Sequence, residues 1–209
     1  VFIVGIIAMV LMIIGLYLLF FAPALAPIFS LASPFRTWAL VFIAIGISLT
    51  GITFFGFYRY YDSFIALSVS LFSLLSGWPM VLSDLLLYNP TVLTPGSYPY
   101  DYSPGPLYPL YHFSAIIGTL LLAITFIAWT IVFLRTRPFI PAPTLTVVAS
   151  LFWVLISHYY IFQMILILIS GGNPFVLFSL YLSQLSMFMI VAGEPAAILS
   201  ALIFYRIRK

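Results

Sequence analysis

The sequence has no cysteine, which excludes disulfides, thiolate zinc sites, iron–sulfur ligation and a cysteine nucleophile. Charge is nearly as scarce. Asp, Glu, Lys and Arg make up 5% of the 209 residues, against about 25% in ordinary soluble domains. Seven Lys and Arg against four Asp and Glu leave a net charge of +3, too few cations for a phosphate-contacting surface, so nucleic acid is not an expected partner. Only two histidines are available for acid–base work or metal binding. The chain also lacks the zinc-binding His-Glu-x-x-His, the phosphate-cradling Gly-Lys-Ser/Thr loop and the Gly-x-Ser-x-Gly nucleophile elbow. No span carries the spaced arginines of a voltage sensor. Catalysis by the chain alone is therefore not expected, although it could serve as a subunit of an oxidoreductase complex. No metal site is expected.

What is abundant is apolar surface: 65% of the residues are hydrophobic and the mean hydropathy is +1.26. Crossing about 30 Å of hydrocarbon takes roughly 20 apolar residues in a helix. Runs of that length, bounded by charge, proline or glycine, predict an all-α polytopic membrane protein with a single six-helix domain. The expected spans are 1–22, 37–58, 64–87, 111–134, 142–170 and 175–205. The first span is long enough to cross and has no small-residue cleavage pattern, so it is expected to be a true helix and not a signal peptide.

Six basic residues (Arg59, Arg135, Arg137, Arg206, Arg208 and Lys209) fall on one side of these spans and only Arg36 on the other. The positive-inside tendency places both termini in the cytoplasm and the protein in the cell membrane. The outer side then has Asp101 as its one loop carboxylate, with Asp84 just inside the membrane edge, which suits a strongly acidic exterior.

Small residues at helical spacing mark packing seams. In the third span Ser63, Ser70, Gly77 and Asp84 recur every seven residues, with Ser73 beside them, and Pro79 predicts a kink. In the sixth, Ala192, Ala196 and Ser200 form one row and Gly193, Ala197 and Ala201 the next. Their partners are expected to be helices of this chain or other integral membrane subunits, with lipid covering the remaining faces.

Each polar side chain inside the hydrocarbon asks for a reason. Glu194, beside Pro195, is expected to satisfy a buried network or to carry protons or a cation. Asp84, His112, Gln163 and Gln184 lie at comparable outer depths, which suggests either an outward-opening polar pocket or interhelical hydrogen bonds. No cofactor is required, and a haem b held by His158 and His112 is the alternative those two imidazoles raise. The outer loop, 88–110, holds six prolines and five tyrosines and is expected to cap the bundle and to receive an extracytoplasmic partner.

Two functions follow as the leading expectations, with a haem-bearing membrane anchor as a third. One is a non-catalytic integral subunit of a larger assembly, such as a respiratory or other energy-converting complex, aiding scaffolding and proton movement. The other is a small-solute binding or transport module. In span number, length and placement of the termini the chain resembles the substrate-capturing components of vitamin transporters, which implies a solute pocket under a loop lid.

Overall fold

A computed structural model of the chain describes residues 2–25, 32–61, 64–87, 93–95, 102–169 and 188–208. Gln184, Ser63, Lys209 and the 175–187 part of the expected sixth span lie outside these residues. The described chain is all-helical apart from one short strand ladder, and six of its stretches are long and apolar enough to cross a membrane.

The helices are α1 (Phe2–Leu25), α2 (Ala32–Tyr61), α3 (Phe64–Ser76), α4 (Trp78–Leu87), α5 (Tyr108–Thr136), α6 (Pro143–Ile169) and α7 (Glu194–Arg208). A short 3-10 turn, Arg137–Phe139, follows α5, and a π-helical segment, Met189–Gly193, runs directly into α7.

The third span is not continuous. It breaks at Gly77, two residues before Pro79, instead of kinking at the proline. The reason is positional: a proline lacks an N–H that the first turn of a helix does not need, so Pro79 suits the start of α4 and the chain ends α3 just before it. Gly77 also has no room for a side chain, because a Cβ there would lie 2.7 Å from the Ala44 Cα of α2. The fourth span begins at Tyr108, three residues earlier than expected, with Pro109 in its opening turn. The outer loop contains regular structure: β1 (Leu93–Pro95) pairs antiparallel with β2 (Tyr102–Pro104), with Thr94 opposite Ser103.

With α3 and α4 taken together as one span, each span packs antiparallel on the next, and α7 returns to α1, closing a ring. The α1–α2 contact is reciprocal. A Cβ at Gly15 would meet the Ala39 carbonyl at 2.8 Å, and one at Gly46 the Ala8 carbonyl at 2.8 Å, so both helices approach to backbone contact. Gly5 lies against Phe204 and Thr53, which brings Phe2 and the end of α7 to the end of the bundle that holds Arg59 and Arg135.

The distribution of polarity follows lipid as solvent. Large apolar side chains such as Ile7, Phe72, Leu75, Leu151 and Phe162 are exposed on the perimeter. Many buried serines and threonines return their hydroxyls to carbonyls one turn back, as Thr50 does to Gly46 at 2.8 Å and Ser73 to Val69 at 2.8 Å.

The centre of the arginine-rich half is filled by rings. Phe54 packs edge-on to Trp129, Phe133 and Phe204 at centroid distances of 5.7, 5.7 and 6.5 Å, and Phe57 joins the same group. All five are fully buried. Aromatic pairs in this geometry add about 0.5–1.5 kcal/mol each beyond their area.

Candidate functional site

The two described carboxylates, Asp84 and Glu194, both lie away from the arginine-rich end of the bundle, and each is held by a neighbouring helix. Asp84 is 2% exposed near the end of α4. The α2–α4 register that puts Gly77 against Ala44 brings Asp84 level with the first turns of α2. There Arg36 Nε lies 2.8 Å from Oδ1, and Thr37 Oγ1 donates to Oδ2 at 2.7 Å. The Arg36 N–H is not aligned on Oδ1, so this contact is an ion pair and not a directed hydrogen bond.

Glu194 is half-buried and sits on the bundle perimeter. It accepts a hydrogen bond from Tyr17 Oη at 3.0 Å, and Tyr17 is itself 41% exposed. Glu194 opens a fifteen-residue helix, so it stands about 21 Å from the arginine-rich end of α7, inside the apolar stretch of that span. The five-residue π-helix ends immediately before it, with Pro195 immediately after. An interior proline cannot donate to the carbonyl one turn back, and a π-turn is one way a helix absorbs that defect.

His112 and Gln163 occupy the same half of the bundle. The His112 ring leans on Tyr108 at 6.1 Å, and its Nε2 is buried with no hydrogen-bond partner among the described residues. Gln163 is buried on α6; its Nε2 donates to Tyr159 Oη, while Oε1 has no partner among the described residues. The α5–α6 register, set by Ser157 Oγ donating to the Ala123 carbonyl at 3.0 Å, places Gln163 level with residue 117 of α5. His112 is about five residues, or ~8 Å, further toward the loop end. Among the described residues Asp84, His112 and Gln163 share a depth zone but no direct hydrogen bond.

His158 turns outward. It is exposed on α6, with Nδ1 2.9 Å from the Val154 carbonyl. The same register sets it about ten residues, or ~15 Å, from the level of His112, so the two imidazoles do not face a shared iron position. Among the described residues no three of His, Asp and Glu come together.

The small-residue rows meet partners within the chain. Gly51 of α2 lies against the Ser70 carbonyl and Ser73, and Gly77 lies against Ala44. Ala192, Ala196, Ala197 and Ser200 are buried, and Gly193 packs on Leu16 of α1, while Ala201 is half-buried. Indoles tie both rows down: Trp129 Nε1 donates to Ser73 Oγ at 2.8 Å and Trp153 Nε1 to Ser200 Oγ at 3.0 Å.

Three participants were not evident from sequence. Arg36 registered only as a topological charge, although a lone cation level with a lone acid in an antiparallel bundle was a usable signal. Tyr17 had no signal beyond being a phenol inside an apolar run. The indole–serine ties need helix adjacency, which spacing within one helix does not contain.

No family model matches the chain, and neither a curated protein nor a solved structure matches it.

Proposed function

We propose that this chain is a non-catalytic integral subunit of a larger assembly in the cell membrane, of the energy-converting kind that includes respiratory complexes, with both termini in the cytoplasm. The observation that carries the reading is the Tyr17–Glu194 pair on the perimeter. A carboxyl group facing hydrocarbon about 21 Å along its helix is costly unless something covers it, and Tyr17 satisfies only one of its acceptor sites. A neighbouring transmembrane helix with a donor at that depth would supply the rest. The ring-filled centre of the arginine-rich half adds support, since fully buried Phe54, Trp129 and Phe204 leave the bundle more a scaffold than a conduit. In this reading the small-residue rows hold the scaffold together, the outer loop meets an extracytoplasmic partner, and Glu194 joins the subunit interface, where it can also take part in proton movement.

Photocrosslinking in native membranes tests this. A photoreactive residue at Ile198, one turn from Glu194 and exposed, should give a stoichiometric adduct with a second integral membrane protein, and Glu194→Leu should abolish it. A protein that yields lipid adducts alone, and that purifies in mild detergent as a stable monomer with its own ligand, would sink the proposal.

A second reading, solute binding near the loop end, draws on Gln163 Oε1 and His112 Nε2, buried acceptor-capable atoms without partners among the described residues. Gln163→Leu and His112→Phe should then abolish solute uptake or binding while leaving the crosslink from position 198 in place.

A further inference from the structure

We propose that a single ordered water sits between Ser76 and Thr125 in the middle of the bundle and bridges the broken third span to α5. Both residues are fully buried, and both hydroxyl oxygens lack a hydrogen-bond partner. Other buried hydroxyls among the described residues are paired. Ser73, Thr119, Thr130, Ser150 and Ser200 each return the hydroxyl to a carbonyl of their own helix, and Ser157 gives its hydroxyl to a carbonyl of the neighbouring helix.

Helix register brings the two orphan hydroxyls to one level of the bundle. Ser73 meets Trp129 on one side of them along the bundle axis, and Met80 packs on Gly118 on the other. Interpolating between these antiparallel pairs puts Thr125 level with residues 75–76. Around α5, Thr125 lies within about 40° of Trp129 and about 20° of Gly118, at 100° per residue, and so on the face turned to α3 and α4. Ser76 is about 60° from Ser73, on the side away from Ser70 and its α2 contact with Gly51.

The helix break supplies a third partner. Pro79 has no N–H to give the Leu75 carbonyl, and the end of α3 leaves carbonyls without intrahelical donors. One of these, Leu74 O, already takes a hydrogen bond from Ser48 Oγ of α2 at 3.1 Å. Two hydroxyls and one freed carbonyl match the usual complement of about three bonds for a buried water. A bare cation is disfavoured: Asp84, two turns on, is held by Arg36 and Thr37, so it does not supply a counter-charge at mid-span. Glycine- or proline-interrupted spans are where irregular backbone meets water in membrane proteins.

The inference is independent of the assembly reading. Its test uses the full chain in lipid nanodiscs. Ser76→Ala and Thr125→Val should each lower the unfolding temperature, and the double variant should be no less stable than the worse single, because either change alone strands the water. Ser76→Thr and Thr125→Ser, which keep a hydroxyl, should stay near wild type. If the single variants raise the unfolding temperature and add, the hydroxyls are simply unpaired and the proposal is overturned. An experimental structure that resolves other buried waters should show one density peak within hydrogen-bond reach of both oxygens; no peak there would also overturn it. So would stability that rises with sodium but not choline and loses that dependence in Ser76→Ala, since the guest would then be a cation.

Discussion

Trp129 and Trp153 stand edge-on to each other with ring centroids 4.8 Å apart, and each reaches away from the other to a serine on a different helix. The chain of contacts Ser73–Trp129–Trp153–Ser200 therefore crosses α3, α5, α6 and α7 in one row. Both serines also return their hydroxyls to their own helix, Ser73 to Val69 and Ser200 to Ala196, so the indoles bond to hydroxyls already oriented by the backbone.

Removing one serine should therefore cost little and removing an indole much. Ser73→Ala or Ser200→Ala is expected to destabilise by about 0.6–1.5 kcal/mol, the range for interhelical hydrogen bonds in membranes and for hydrogen bonds generally. Trp129→Ala should cost about 3–5 kcal/mol through lost packing. Because the indoles touch, the Trp129→Phe and Trp153→Phe effects should not add. Thermal unfolding in detergent, followed by tryptophan fluorescence, measures all of these.

The ion pair between Arg36 and Asp84 gives a contrast between breaking and replacing. Asp84 is nearly inaccessible, and the Arg36 side chain is 18% exposed. Arg36→Ala leaves the carboxylate without its cation, and Asp84→Ala leaves the guanidinium without its acid; each should cost about 3–5 kcal/mol, as for other buried pairs broken on one side. Arg36→Met combined with Asp84→Leu should recover most of that loss. An unfolding series in which the double variant is as unstable as the singles added together would show that the pair does more than fix α2 to α4.

Two glycines should respond differently to the same added methyl. At Gly77 a Cβ meets the Ala44 Cα at 2.7 Å, so Gly77→Ala must push backbone apart at the break and should cost about 1–3 kcal/mol. At Gly193 the nearest atom is Leu16 Cδ1 at 3.0 Å, the end of a flexible side chain, and Gly193→Ala should stay near wild type. Equal unfolding temperatures for the two variants would contradict the Gly77–Ala44 contact described above.

The cysteine-free sequence makes topology directly measurable. Single Arg137→Cys and Arg206→Cys variants should be labelled by a membrane-impermeant thiol reagent from the same side, and Leu107→Cys from the other. The cytoplasmic side should be the one carrying positions 137 and 206, and labelling of Arg137→Cys and Arg206→Cys from opposite faces would dismantle the antiparallel ring.

The parts of this architecture that were legible in the sequence are those governed by transfer into lipid. Length and hydropathy locate six spans, because each helix must be apolar enough by itself. The small-residue rows at 192–201 were also legible, because close approach needs small side chains wherever the partner is. The break at Gly77 was displaced by two residues from the expected Pro79 kink, because a proline can start a helix as well as bend one. The π-helix at 189–193 has no periodic signature, and the β1–β2 ladder was hidden in a loop whose prolines argued for irregular backbone. The Arg36–Asp84 pairing depended on α2 lying beside α4, which is a property of the ring and not of either segment.

The ring closes only when α7 reaches α1, through Phe204 on Gly5 and Leu16 on Gly193. Among the described helices, α1 is therefore made before the others yet is the last to gain its second neighbour. Until then its glycine face must be shielded by lipid, by the insertion machinery or by a holding factor. A truncation that removes α7 would thus act on α1, leaving a product with α1 half-covered and marked for removal by membrane quality control.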